Sequence, residues 1–475
     1  MGLVKAGDPV VGHVALFAAI GQPSRSTQIV RNLSGIMKGK PPDHPGGMPL
    51  PPGIPDKRDA RDSMTSTAPA WLMPVVAICI LQTISSFLTR LIPIIAPAMS
   101  AEFGWSGSSI GYLTASNSMG GLAILLAGSA LLKQVGGMRT LQLTLSLGAA
   151  CLAFLLYPSL GVALAACFAM GLSNGAANPA GSEVLQRFSP PGKRNLMFSI
   201  KQAGVPLGGV MAGLLVPAVV ALAGWRIALL ACAVVVLLPI VLTWRLSAGL
   251  DEIPARTGRV FPMPTWRSLR TLGVPLASLM HNRGLLKISV VGSLFAVSQS
   301  CWFTFTVVYL VDGLGYSLGR AGMVFAVMQA GGVIGRIALG WLSDYLRSAT
   351  AVLSIAAVLS AVTTALLGLT SPAWPLWAAI VLAFVAGASA ACWNGVQIAE
   401  VARRSPPHMI SETAAGSSIL VNLTNMVAPT LFAIFVSAGG GYGFAFICAG
   451  ACSLLVLVCL PRERGEAGTQ ERRAR

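Results

Sequence analysis

The sequence predicts an all-α integral membrane protein of twelve transmembrane helices in two pseudo-symmetric six-helix halves. Three observations lead there. The 475-residue chain is 54% apolar and 10% charged, with a mean hydropathy of +0.72, whereas soluble domains carry about a quarter charged residues. From Trp71 onward, apolar runs of the roughly 20 residues that cross a bilayer follow one another with short polar breaks. The segment EVLQRFSPP at 183–191 returns as EVARRSPP at 400–407.

The spans fall at about 71–98, 108–131, 139–158, 161–183, 197–222 and 226–246, then at 285–310, 320–343, 350–370, 375–400, 412–437 and 442–460. These runs are too long and too uniformly apolar for barrel strands, and in hydrocarbon each must satisfy its own backbone hydrogen bonds, so they are helices. The expected organisation is a disordered cytoplasmic tail 1–70, a half 71–246, a cytoplasmic central loop 247–284, a half 285–460 and a cytoplasmic tail 461–475.

The first tail contains PPDHPGGMPLPPGIP at 41–55, which cannot continue a helix. Its apolar run VALFAAI at 14–20 is too short to span and lacks a small-residue cleavage site beside it. Met64, just before the first span, is an alternative start.

Lys and Arg set the orientation. With the N-terminus inside, the cytoplasmic breaks hold Lys133 and Arg139; Arg187, Lys193 and Arg194; Arg256, Arg259, Arg267, Arg270 and Arg283; Arg347; and Arg403 with Arg404. The opposite breaks hold Arg226 and Arg320. Both termini are therefore expected in the cytoplasm of a multi-pass protein of the plasma (inner) membrane. The net charge of +17 reads as this topogenic excess, with the bilayer and not nucleic acid as partner. The nine cysteines all fall inside spans without a C-x-x-C pair, which gives no support to a metal or redox cofactor.

The echo marks the turn after the fourth span of each half. A shift of 216 residues lays Asn178 on Asn394, Arg187 on Arg403, and Ser189-Pro190-Pro191 on Ser405-Pro406-Pro407. A shift of 212 lays Gly120 on Gly332 and Gly128 on Gly340. Parallel repeats of this kind place a substrate path at their interface near the midplane.

GRIALGWLSDYLR at 335–347, with Gly340, Asp344 and Arg347, resembles the signature of the major facilitator superfamily in the loop after its eighth helix. GWRIALL at 224–230 is similar to the family's start of helix six, and KQAGVPLGG at 201–209 to helix five of its bacterial anion and small-solute permeases. The resemblance covers about 70–460 and implies a secondary transporter working by alternating access, as a monomer. Departures matter too. Leu132 or Lys133 stands where the first-half loop should carry an acid, Cys167 replaces an arginine common in proton-coupled members, and GVPLGG at 204–209 only approximates the drug-antiporter pattern.

Polar groups inside spans are costly and face a cavity or another helix. Span one carries Arg90, about 19 residues in, which either snorkels to the outer surface or faces the cavity and binds a carboxylate. Span two offers Asn117; span four aligns Asn174 with Asn178; span seven puts Gln299, Trp302, Thr306 and Tyr309 on one stripe. Span ten aligns Trp393, Gln397 and Glu400 with Asn394 beside them, and span eleven supplies Asn422 and Asn425. Each amide has two readings: substrate contact, or an interhelical hydrogen bond worth about 1 kcal/mol or less. Lys201 is expected to pair with Glu183, and Arg336 to join Asp344 in the loop latch.

No Asp or Glu lies deep in a span, since Glu102, Glu183, Asp344 and Glu400 are near span ends. A coupling proton therefore uses Glu183 or Glu400, or arrives on the substrate, or transport is exchange or facilitated diffusion. With Arg90 the best-buried charge, the expected substrate is a small organic anion such as a monocarboxylate or aromatic acid. A neutral solute read by the amides, or drug efflux, is the alternative. A membrane hydrolase rests only on GSSIG at 107–111 with Ser109, which needs a strand-to-helix elbow and a histidine. The four histidines (His13, His44, His281, His408) lie in tails or loops, and metalloprotease and P-loop motifs are absent. A channel is excluded only by exchange kinetics.

Overall fold

The computed structural model describes residues 71–127, 135–189, 194–251, 275–280, 282–406 and 409–461, all within the compact unit Ala68–Arg475. The expectations for the tails, for Gly128, Leu132, Lys133, Lys193, Arg256, Arg259, Arg267 and Arg270, for Pro190, Pro191 and Pro407 and for the histidines lie outside the described residues.

The described residues form twelve membrane helices. In the first half they are α1 (Leu72–Phe103), α2 (Ser109–Ala127), α3 (Gly137–Cys151, extended by a 3-10 turn Leu152–Leu156), α4 (Leu160–Phe188), and α5 with α6 in one run, Arg194–Thr243. Gly224, at φ +82, breaks that run in two. In the second half they are α7 (Arg283–Val308), α8 (Leu318–Leu346), α9 (Ala349–Gly368), α10 in two pieces (Leu376–Ala390 and Asn394–Arg404), α11 (Ile410–Phe435) and α12 (Tyr442–Cys459). Length and apolarity alone mark ten spans among the described residues, with the α5–α6 run counted as one.

Local chemistry sets the ends. Gly104, left-handed at φ +68, stops α1 and returns its N–H to the Ser100 carbonyl, as a C-capping glycine does. Serine hydroxyls accept from the first turns of α4 (Ser159), α8 (Ser317) and α9 (Ser348), and the Asn282 side chain does so for α7. The acid missing from the first-half loop has a substitute from the other end of the half. Asp251, just past α6, accepts from the Met138 and Arg139 amides at 2.9 Å each and caps α3.

The repeat is visible in the packing. Gly120 and Gly121 of α2 lie against Phe168, Gly171 and Gly175 of α4, with no room for a Cβ at Gly120 or Gly171. In the second half, Gly331 and Gly387 are equally tight, against Phe384 and Met328. The 216-residue shift carries Phe168 and Gly171 onto Phe384 and Gly387. Small residues at such crossings let backbones approach closely, the usual means of helix association in lipid.

The halves meet mainly along α2–α11 and α5–α8, with α1 and α2 also touching α7. The main partners of α4 are α1, α2 and α3, and those of α10 are α7, α8, α9 and α11, so each keeps to its own half.

Candidate functional site

The halves also meet where α1 ends and α2 begins. Ser108 Oγ lies 2.7 Å from Ser437 Oγ, and an added Cβ at Gly107 would meet Asp312 Oδ2 and Tyr442 Oη, each at 2.7 Å. One turn deeper, Gly111 sits under Pro429, Ala433 and Phe305, and Gly213 of α5 packs on Gly322 and Ala326 of α8.

On α4, Cys167, Gly171, Asn174 and Asn178 form one stripe at helical spacing; the first two are buried and the two asparagines, toward the end that carries the Ser189 turn, are exposed.

Arg90 stands between these regions. Its guanidinium carbon is 3.8 Å from the centre of the Phe303 ring on α7, a cation–π stack that crosses the halves. Its Nε is buried without a hydrogen-bond partner, and among the described residues it joins no ion pair. Arg336, from the second half, donates from Nη1 to the Gln202 carbonyl of α5 at 3.0 Å. The expected pairing of Arg336 with Asp344 is corrected: Asp344 is exposed eight residues on, and the arginine is drawn across to α5, where a free carbonyl is in reach. Arg336 and Arg90 are close enough for their charges to repel. Arg347 ends α8 at φ +51 and is exposed.

The polar set divides in two. Four members serve as pins between or within helices: Asn117 donates to the Cys167 carbonyl (3.2 Å), Gln299 to the Ala391 carbonyl (3.1 Å), Trp302 to Thr364 Oγ1 (2.9 Å), and Gln397 to both the Ile288 carbonyl (3.2 Å) and Ser417 Oγ (2.9 Å). Tyr309 is likewise tied to Thr370. The others keep hydrogen-bonding capacity. Asn174 and Asn178 are exposed, Asn394 Oδ1 is buried without a partner, and Asn422 and Asn425 are half-exposed, Asn422 donating to the Ser418 carbonyl.

The charged residues near the Ser189 and Ser405 turns also depart from expectation. Lys201 is not paired with Glu183; its Nζ donates to the Asn178 carbonyl (2.9 Å) and Ser182 Oγ (3.0 Å), both closer along α4. Glu400 is 2% exposed and binds Arg403 and Arg404 of its own helix. Ser109 donates to the Ser106 carbonyl at 2.6 Å in the first turn of α2, so the GSSIG stretch opens a helix and forms no elbow.

Sequence reasoning missed Gln329 of α8, which is 2% exposed, has an unpartnered Nε2 and lies on Gly209 of α5. The 212-residue shift that joins Gly120 to Gly332 also joins Asn117 to Gln329, so the signal was in the repeat. A groove of about 540 Å³ among α7, α11 and α12, lined by residues such as Val297, Leu423, Phe432 and Cys452, is apolar and lacks these groups.

Residues 78–415 match the family model of the Major Facilitator Superfamily. The chain is 25% identical over 407 residues to an uncharacterized MFS-type transporter of Mycobacterium tuberculosis (strain CDC 1551 / Oshkosh), covering 84% of this chain and 86% of that one. It is 26% identical over 373 residues to a gallate transporter of Pseudomonas putida, covering 72% and 80%. The crystal structure of the nucleoside transporter NupG shares the fold, with a TM-score of 0.63 at 15% identity over 82% of this chain and 98% of that one.

Proposed function

As the chain belongs to the Major Facilitator Superfamily and is a transmembrane transporter of small solutes, not an enzyme, we propose that its substrate is a small organic anion, a monocarboxylate or aromatic acid, moved by alternating access. One observation carries this reading: Arg90, deep in α1, is held on Phe303 with its Nε unpartnered and, among the described residues, no carboxylate paired with it. A cation placed there without a counter-ion is costly in a bilayer, and an anionic substrate offsets that cost. Arg336 brings a second positive charge from the opposite half, so an anion at Arg90 is attracted by both halves. The gallate carried by the Pseudomonas putida relative is an aromatic acid of this class.

The Lys/Arg distribution supports a plasma-membrane protein with its termini in the cytoplasm, acting as a monomer. The exposed amides of Asn174 and Asn178, with Asn394, Asn422 and Asn425, favour one second reading, a neutral polar solute. Counterflow in proteoliposomes separates the two. Labelled organic acids should exchange in the wild type and not in Arg90→Ala; exchange of neutral solutes alone, or an acid signal indifferent to the substitution, overturns the anion reading.

A further inference from the structure

Lys201 is 1% exposed and lies seven residues into the α5 run. Its Nζ meets two neutral acceptors, the Asn178 carbonyl and Ser182 Oγ, and no carboxylate among the described residues. The charged and titratable groups around it are few. Cys79 of α1 is within electrostatic reach, and the Phe198 ring of α5 is 5.9 Å from Nζ. Glu183 of α4 follows Ser182 without bonding to the lysine, and Arg336 of α8 ends at the neighbouring Gln202 carbonyl.

A buried cation in a membrane helix that meets only neutral acceptors, with no counter-ion among the described residues, is a candidate functional group. Arginine keeps its proton under all ordinary conditions, whereas a buried lysine exchanges it, which is why lysines serve as bases and nucleophiles. Arg90 and Arg336 are thus fixed charges and Lys201 is an exchangeable one. The observed geometry suits both of its states. A neutral amine uses its two N–H groups on the two acceptors present; an ammonium adds a third N–H and a unit of positive charge beside Asn178, whose side chain is exposed.

We infer that Lys201 is the proton-binding residue that couples transport to protons, so that the protein is an anion–proton symporter. This rests on the organic-anion reading. The ammonium raises affinity for an anion, and by reciprocity the anion raises affinity for the proton. The two load together and leave together, one proton with one monoanion, and no net charge crosses.

The test compares wild type, Lys201→Gln, Lys201→Arg and Glu183→Gln in proteoliposomes with radiolabelled gallate, subtracting protein-free vesicles. Two quantities are read: counterflow without a pH gradient, and accumulation driven by an acid exterior. Wild type should do both. Lys201→Arg, which keeps the charge but not the exchangeable proton, should keep counterflow within several-fold and lose gradient-driven accumulation about tenfold or more, whereas Lys201→Gln, which loses the charge as well, should weaken counterflow and lose accumulation. Glu183→Gln should still accumulate. The inference is overturned if either Lys201 variant still accumulates, if Lys201→Arg loses counterflow and accumulation together, if Glu183→Gln alone uncouples, or if wild type exchanges gallate without responding to the gradient. Absence of exchange for gallate and every other acid in wild type overturns the anion reading itself.

Discussion

The guanidinium of Arg90 on α1 stacks 3.8 Å over the ring of Phe303 on α7, joining the two halves of the molecule through a side chain that has no anionic partner among the described residues. The aromatic face holds the cation in place and leaves its N–H groups available, as a binding residue requires.

Arg90→Lys should therefore weaken acid transport without abolishing it, because an ammonium keeps the charge but loses the planar fork and the stack. We expect KM to rise about 10-fold, the equivalent of about 1.4 kcal/mol, with Phe303→Leu giving a smaller rise in the same direction. Uptake kinetics of the purified variants, at matched thermal stability, check it. Equal KM values for wild type and Arg90→Lys would remove the arginine from the site.

The Ser108–Ser437 contact closes one end of the bundle. Their hydroxyl oxygens are 2.7 Å apart, so sulfurs in their place would face each other across the halves. The double variant Ser108→Cys/Ser437→Cys should cross-link under mild oxidation and stop transport, and a reductant should restore it. Full activity in the cross-linked protein would mean that this end does not open during the cycle.

Gln397 and Asn178 look alike in the sequence and should behave in opposite ways. Gln397 is 1% exposed and bridges α10 to α7 and α11, so Gln397→Ala should cost about 1–3 kcal/mol by stranding buried groups, visible as a lower detergent melting temperature. Asn178→Ala removes an exposed amide and should leave melting unchanged while altering KM. The reverse pattern would exchange their roles.

Asp251 holds the start of α3 through two amide hydrogen bonds. Asp251→Ala should lose about 1 kcal/mol of cap stabilisation, and hydrogen exchange at the Met138 and Arg139 amides should quicken about 5-fold. Unchanged protection at both amides would rule the cap out as a contributor.

Much of the architecture was legible in the sequence for a simple reason: in hydrocarbon a helix is the only open-ended way to satisfy a backbone, so an apolar run of the right length declares its structure. The repeat was legible as well, in the echoed turns at 183–191 and 400–407 and in Gly120 laid on Gly332, and the tight glycine crossings Gly120–Phe168 and Gly331–Phe384 are where two backbones touch and no side chain fits. The break at Gly224 falls between the spans expected at 197–222 and 226–246.

Partner choice did not follow. Arg336 and Asp344 are near in the chain, yet the arginine reaches Gln202, 134 residues away; Lys201 prefers a carbonyl and a hydroxyl to Glu183; and the acid missing from one loop is replaced by Asp251 from beyond α6. Nor could spacing tell which amides are pins and which are free, since Gln397 and Asn394 share a helix and differ only in what faces them. The sequence determined by itself a twelve-helix membrane protein in two repeated halves, because bilayer thickness and backbone hydrogen bonding act on each segment alone. Tertiary structure decided which polar groups are used up in holding the helices and which remain open, because a hydrogen bond is fixed by distances that exist only once the helices have packed.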